Sequence, residues 1–175
     1  MEIRKAFLTD IPDLLGLINS YASQGVMLPR TEFEMAENIR DFVVGIEGGR
    51  MVGCGALHFY TPYSGEVRSL AVEPGLKTRG IGRGIVEALE EEARFNQLFD
   101  IFAFTYVAGF FRKLGFEEVD RGELPLKAWK DCMRCPKFQA CDEIAMLKRL
   151  RAGSPDAKPR VIPLGDFTQL PVLRR

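Results

Sequence analysis

Residues 66–84 decide the fold, and they read Glu-Val-Arg-Ser-Leu-Ala-Val-Glu-Pro-Gly-Leu-Lys-Thr-Arg-Gly-Ile-Gly-Arg-Gly. A strand pattern leads into a loop whose glycines at 80, 82 and 84 allow a tight turn, so that backbone N–H groups can approach an anion. The helix that follows directs the positive end of its dipole at the same point. A dinucleotide fingerprint would need glycine where Ile85 stands, and a phosphate loop would need Lys-Ser/Thr directly after Gly80. The pattern therefore predicts a diphosphate site of another kind.

Composition limits the kind of partner. The chain has 175 residues, of which 46% are hydrophobic and 27% charged, which predicts a single domain with one sizeable core. Its 24 basic and 24 acidic residues balance, so neither a nucleic acid nor a membrane surface is an expected partner. No apolar run reaches the length of a membrane span. We expect a cytoplasmic protein that acts on small molecules, and the sequence allows a homodimer.

Hydrophobic periodicity predicts the order β-α-α-β-β-β-α-β-α-β. The first helix starts at Asp10, and a capping box of Thr31 and Glu34 predicts a second helix over 31–41. The remaining elements are strands at 2–7, 42–46, 51–60, 66–72, 100–105 and 143–150, the glycine-loop helix, and a short helix at 108–114.

The last third of the chain departs from this regular pattern. Residues 123–142 form a cysteine-containing connection that is too long for a plain turn, so we expect something to stabilise it. After residue 150 the composition shifts to scattered prolines. We therefore predict one domain over 1–150 and a Pro-rich tail over 151–175 that lies extended on the surface or on a partner.

Three segments resemble one family. The pattern Arg79-x-x-Gly82-x-Gly84 resembles the acetyl-CoA motif of the GNAT N-acetyltransferases, and 66–72 looks like the fourth strand of that family. Residues 110–116, Phe-Phe-Arg-Lys-Leu-Gly-Phe, are similar to its closing Phe-Tyr-x-Lys-x-Gly-Phe segment. The resemblance implies an α+β acyltransferase fold, in which helices flank a mixed, mostly antiparallel central sheet, and acetyl-CoA as the cosubstrate.

The same resemblance implies roles for the cofactor-binding residues. Backbone groups of the fourth strand would bind the pantetheine arm and polarise the thioester carbonyl, and the loop N–H groups would hold the pyrophosphate. Two arginines of the loop would add positive charge. The residues concerned are Leu70, Ala71, Val72, Arg79, Gly80, Ile81, Gly82, Arg83 and Gly84.

Acyl transfer to an amine needs a base and a proton donor. The resemblance implies that Glu66 deprotonates the incoming ammonium through water. Phe111 stands where many relatives carry a tyrosine that protonates the thiolate, so either Tyr106 or water takes that task. A Ser-His-Asp hydrolase is disfavoured because His58 is the only histidine and Gly-x-Ser-x-Gly does not occur.

Three cysteines, Cys132, Cys135 and Cys141, lie close together in the connection. They fit a structural zinc or iron–sulfur site only with a fourth ligand, from Cys54, His58, Asp142 or another chain. A disulfide or redox pair, or free thiols, fits the spacing as well.

The acceptor follows from a second resemblance. Residues 124–146 look like the C-terminal part of short, single-domain bacterial N-acetylglutamate synthases, which implies L-glutamate as the acceptor and a place in arginine biosynthesis. Arg30 and Arg68 are then candidates to bind its two carboxylates, since guanidinium groups bind carboxylates bidentately. Alternatives are another amino acid, a polyamine or a protein N-terminus as acceptor, or a non-catalytic acyl-CoA, metal or redox sensor.

Overall fold

The computed structural model describes residues 1–124, 135, 137 and 140–151. The strands are β1 (Glu2–Lys5), β2 (Phe42–Glu47), β3 (Arg50–Phe59), β4 (Ser64–Val72), β5 (Asp100–Thr105), β6 (Glu117–Glu118) and β7 (Ile144–Arg149). The helices are α1 (Ile11–Ala22), α2 (Glu32–Asn38), α3 (Ile81–Phe95) and α4 (Ala108–Arg112).

Every element predicted from the sequence is present, and the short strand β6 is an addition. The predicted capping box is confirmed, because Thr31 N donates to Glu34 Oε2 at 3.0 Å and Glu34 N donates to Thr31 Oγ1 at 3.2 Å. The predicted helix over 31–41 was too long. Helix α2 ends at Asn38 and a 3₁₀ turn over Ile39–Asp41 replaces its last residues.

The seven strands form one sheet in the order β1-β2-β3-β4-β5-β7-β6. All neighbours are antiparallel except β4 and β5, which confirms the predicted mixed, mostly antiparallel sheet. The parallel pairing covers only Ser64 to Glu66 against Asp100 to Phe102. Beyond it the two strands share no register, so the sheet opens at this point.

Helices cover both faces of the sheet. Helices α1 and α2 pack on one face, and α3 packs with α4 on the other. Glycines in β3 bring α3 close to the sheet, since a Cβ on Gly53 would lie 2.9 Å from the side chains of Ile81 and Ile85. Helix α3 therefore starts directly beside the opening between β4 and β5.

The predicted cysteine-containing connection over 123–142 and the tail over 151–175 lie mostly outside the described residues. Among the residues that are described, no helix has both the length and the apolar character that crossing a membrane requires.

Candidate active site

A bulge interrupts β4 next to the opening. Cys54 pairs with Ala71 and Ala56 with Arg68, so two steps along β3 match three along β4. Ser69 takes up the extra residue with a φ of 53°, a left-handed conformation that side chains rarely adopt. Because a bulge disrupts the ladder locally, backbone groups of β4 become available to a ligand here.

A cavity of about 660 Å³ lies along this stretch of β4, which is a usual size for a small-molecule site. Its walls come from 66–72 of β4, 104–107 at the end of β5, and the loop 25–30 after α1. Gly82 places the start of α3 in the same wall. The cavity therefore lies at the opening between β4 and β5, and the loop 25–30 forms part of its wall.

The three glycines at the start of α3 serve three different purposes. Gly80 has a φ of 81°, a conformation that favours glycine. Gly82 lines the cavity, where a Cβ would touch Phe110 at 3.4 Å. Gly84 faces the sheet instead, because a Cβ there would lie 2.8 Å from Ile3 Cδ1. The first N–H groups of a helix have no acceptor within it, so those of α3 are available at the cavity wall.

Three cationic side chains lie near the start of α3, and the sequence predicted a role for only two of them. Arg79 donates to both carboxylate oxygens of Glu47 at 2.9 Å, and Arg83 lies 3.6 Å from Glu87. Both arginines are exposed and outside the cavity wall, so their predicted role stays a prediction. Lys77, which sequence reasoning missed, lines the cavity. No motif marks it, since its position depends on how 73–80 folds.

Arg68 and Glu66 project from the same face of β4 and line the cavity. The Arg68 side chain is only 12% exposed and lies 3.7 Å from Asp41 Oδ2. The same carboxylate oxygen lies 2.6 Å from His58 Nδ1. Asp41 therefore forms an ion pair with Arg68, and His58 contacts the same carboxylate oxygen and fixes its position.

Arg30 enters the cavity from the loop after α1. Its backbone is held on both sides by one residue, since Arg30 N donates to Asn19 Oδ1 at 2.8 Å and Asn19 Nδ2 donates to Arg30 O at 3.0 Å. Helix α1 thus fixes the loop. The structure brings both predicted acceptor arginines, Arg30 and Arg68, to one cavity, together with Glu66.

Tyr106 lines the cavity where β5 ends. Its hydroxyl accepts a hydrogen bond from Lys137 Nζ at 3.2 Å. Partial burial raises the pKa of Tyr106 above its ordinary value, and the Lys137 hydrogen bond opposes that rise. The phenol therefore keeps its proton through the neutral pH range. Phe111, by contrast, is buried in the core and carries no proton to donate.

Arg121 and Glu143 also line the cavity, and sequence reasoning did not single them out. Burial raises the pKa of Glu143, while the charge of Arg121 opposes this rise. Arg121 follows β6, and Glu143 precedes β7. The pairing of β6 with β7 brings Arg121 and Glu143 together, and no short-range pattern in the sequence predicts that pairing.

Comparison with known proteins fits this geometry. Residues 38–118 match the acetyltransferase (GNAT) domain family. An uncharacterized N-acetyltransferase of Chlorobaculum tepidum is 40% identical over 148 residues, covering 85% of this chain and 96% of the relative. The chain belongs to the GNAT acetyltransferase family. An amino-acid acetyltransferase of Mycobacterium tuberculosis is 35% identical, over 67% of this chain and 69% of that protein.

Solved structures agree with the family and the fold. N-acetylglutamate synthase from Neisseria gonorrhoeae, complexed with coenzyme A and N-acetyl-glutamate, is 28% identical with a TM-score of 0.78. The match covers 86% of this chain and 35% of that one. A Mycobacterium tuberculosis protein in complex with CoA matches with a TM-score of 0.75 and 28% identity, over 86% of this chain and 100% of that chain. This GNAT chain is thus an N-acetyltransferase, and its relatives bind CoA.

Only some of the cysteines of this GNAT acetyltransferase lie among the described residues. Cys135 and Cys141 are free thiols that line the cavity, whereas Cys132 lies outside the described residues. The described residues hold no group of three or more metal-ligating side chains, so a metal or cluster at Cys132, Cys135 and Cys141 stays a prediction. Full burial raises the pKa of Cys54 to about 12, which keeps that thiol protonated.

Proposed function

We propose that this GNAT enzyme transfers the acetyl group of acetyl-CoA to the α-amine of L-glutamate, the first step of arginine biosynthesis. The charge of the cavity carries the proposal. Apart from Lys77 near the start of α3, four cationic side chains among the described residues line it against two carboxylates, which leaves two positive charges in excess. The cations are Arg30, Arg68, Arg121 and Lys137, and the carboxylates are Glu66 and Glu143. An anionic acceptor suits this surplus, and a polyamine would be repelled.

The acetyl-CoA end of the cavity fits a diphosphate and a thioester. Helix N–H groups from Gly80 to Arg83 would bind the pyrophosphate, with Lys77 adding charge beside them, while Gly84 N donates to Gly80 O instead. The bulge at Ser69 frees backbone groups of β4 for the pantetheine arm and the thioester carbonyl, over Leu70, Ala71 and Val72. Arg79 and Arg83 would contribute only after leaving their partners Glu47 and Glu87.

The chemistry is direct attack in a ternary complex. Glu66 accepts a proton from the ammonium through water, and the free amine attacks the thioester carbon. The C–S bond then breaks, Tyr106 donates its proton to the leaving thiolate, and the second proton lost by the attacking nitrogen restores the phenol. The raised pKa of Tyr106 keeps that proton available at neutral pH. Arg30 and Arg68 bind the carboxylate groups of the acceptor and leave its amine free.

Release of free CoA from acetyl-CoA, followed with a thiol-reactive dye across the twenty amino acids, tests the proposal. Turnover confined to glutamate supports it. Arg30→Ala should then raise the KM of glutamate roughly 10- to 100-fold while the KM of acetyl-CoA stays unchanged. Arg50→Ala is the matched control, because Arg50 is exposed in the β2–β3 hairpin and does not line the cavity. A preference for a neutral or cationic amine would replace the acceptor while leaving the acetyltransferase intact.

A further inference from the structure

Arg121 is held in place as firmly as Arg30 and Arg68. It opens a 3₁₀ turn, Arg121–Glu123, whose capping box fixes the backbone, since Asp120 Oδ1 accepts from Gly122 N at 2.7 Å. The side chain is anchored through its Nη2 atom, which donates to the backbone oxygens of Cys141 and Glu143 and lies 3.2 Å from Cys141 Sγ. The guanidinium group lies 5.7 Å from the centre of the Phe104 ring.

This anchoring leaves part of the guanidinium group available. A guanidinium group has five N–H donors in a rigid plane, and every hydrogen bond of Arg121 to a described residue uses Nη2. The Nε and Nη1 donors therefore have no acceptor within the described part of the chain. A preorganised guanidinium group in a cavity wall, with two donor positions that no described residue occupies, is suited to bind a carboxylate in two-point fashion.

The sheet places Arg121 on the far side of the opening from Arg68. Glu66 pairs with Phe102, so Arg68 and Phe104, each two residues further along, point to the same face. Arg121 lies over Phe104 and reaches the start of β7, which is two strand positions from β4 and so roughly 10 Å away. A short acceptor with a carboxylate at each end could contact both sides of this opening.

We propose that Arg121 determines specificity by binding the side-chain carboxylate of the acceptor together with Arg30, while Arg68 binds the α-carboxylate, a role that rests on the proposed glutamate substrate. The attacking amine must reach the thioester at the β4 bulge. The α-carboxylate shares a carbon atom with that amine, so it lies near β4, within reach of Arg68 beside the bulge. The side-chain carboxylate points away from β4, toward β5 and β7, where Arg121 is anchored.

Glutamine distinguishes the contributions of the two carboxylates. It keeps the α-carboxylate of glutamate and replaces the side-chain carboxylate with an amide of the same shape. The readout is the ratio of kcat/KM for glutamate to kcat/KM for glutamine. Arg121→Gln should lower kcat/KM for glutamate about 100-fold and leave that for glutamine within about two-fold, so the ratio collapses. Arg112→Gln is the control, because Arg112 is exposed, pairs with Glu118 and does not line the cavity.

The outcomes separate this proposal from the one on which it rests. An equal loss with both acceptors after Arg121→Gln would make Arg121 a support for residues 141–143 only and overturn its role in specificity. A wild-type enzyme without preference for glutamate would overturn both proposals. If Arg121→Gln fails to fold, Arg121→Lys keeps the charge without the planar fork, and its ratio should still fall about ten-fold. An unchanged ratio in a folded Arg121→Lys variant would count against the proposal.

Discussion

The two ends of the cavity are built in different ways. The proposed acetyl-CoA end is one continuous stretch, 69–84, where a bulged strand and a helix start would present backbone groups to the cofactor. The proposed acceptor end is lined by side chains from four separate stretches, at 30, 66–68, 121 and 143. Backbone recognition depends on local geometry and therefore leaves glycines in the sequence. Side-chain recognition depends on which strands become neighbours, so each end should respond to different mutations.

The largest effect should come from the residue at which the two ends meet. Glu66→Gln removes the proposed base and should lower kcat roughly 1,000-fold, with little change in either KM, because base catalysis acts in the transition state. Steady-state kinetics with both substrates varied measures this. Glu117→Gln, an exposed carboxylate on β6, should behave as wild type. A loss of less than about three-fold would remove Glu66 from the chemistry.

Gly82→Val should break the acetyl-CoA end alone. A Cβ at Gly82 would make ordinary van der Waals contacts at 3.4–3.6 Å, whereas the larger valine side chain would intrude where the cofactor phosphates are expected to lie. We expect kcat/KM for acetyl-CoA to fall about 100-fold while the fold is retained. Calorimetric titration with CoA measures the loss of cofactor affinity, and the melting temperature shows whether the fold is retained. Gly75→Ala, which would meet nothing within 4 Å, is the control.

Asp41→Asn should break the acceptor end alone. The change removes the charge that holds Arg68, so the KM of glutamate should rise about ten-fold and the KM of acetyl-CoA should stay constant. His58→Asn keeps an N–H donor near Asp41 and should have a smaller effect. If both Michaelis constants change together, the two ends are coupled through β4, and the comparison fails at this residue.

The sequence predicted most of the fold because the decisive signals were local. The capping box at Thr31 and the alternation in β3 and β4 each act within a few residues. Gly84 was expected to approach the cofactor, but the structure shows that it makes room for Ile3 across the sheet. Arg79 was expected at the phosphates, yet the β2–β3 hairpin places Glu47 beside it. Both differences arise from contacts between residues far apart in the chain.

The residues of the candidate site also differ in whether a local sequence signal marks them. Arg30, Arg68 and Glu66 were identified only through a family resemblance, and the structure brings all three to one cavity. Arg121 had no signal, because its position depends on a two-residue strand, β6, that is too short to produce a periodic pattern. Sequence reasoning therefore predicted the backbone end from local signals and only part of the acceptor end, and both assignments stay predictions.

Tyr106→Phe should have a moderate effect on the shared chemistry. We expect kcat to fall about ten-fold at neutral pH, because a solvent water would take over as a poorer proton donor. In the wild type, kcat should fall at alkaline pH as the phenol ionises, above the ordinary tyrosine range because its pKa is raised. The variant should lack that fall in a profile from pH 6 to 11. Tyr63→Phe, outside the cavity wall, is the control.

Glu143→Gln should have the smallest effect, on stability. Burial raises the pKa of Glu143 above its ordinary value of 4.5, so the folded state binds its proton more tightly than the unfolded state does. Wild-type stability is therefore lost as pH rises from the ordinary to the raised pKa, and the variant avoids that loss. The melting temperature of the variant relative to wild type should be higher at pH 7 than at pH 4. An equal difference at both pH values would contradict this expectation.

The bulge in β4 also limits how the gene can change length. Because two steps along β3 match three along β4, deletion of Ser69 would make the register regular and remove the bulge that frees backbone groups for a ligand. The loop at 25–30 has no such register to keep. Insertions and deletions should therefore accumulate in that loop and be purged from β4, so that acceptor preference can diverge among descendants while their use of acetyl-CoA stays the same.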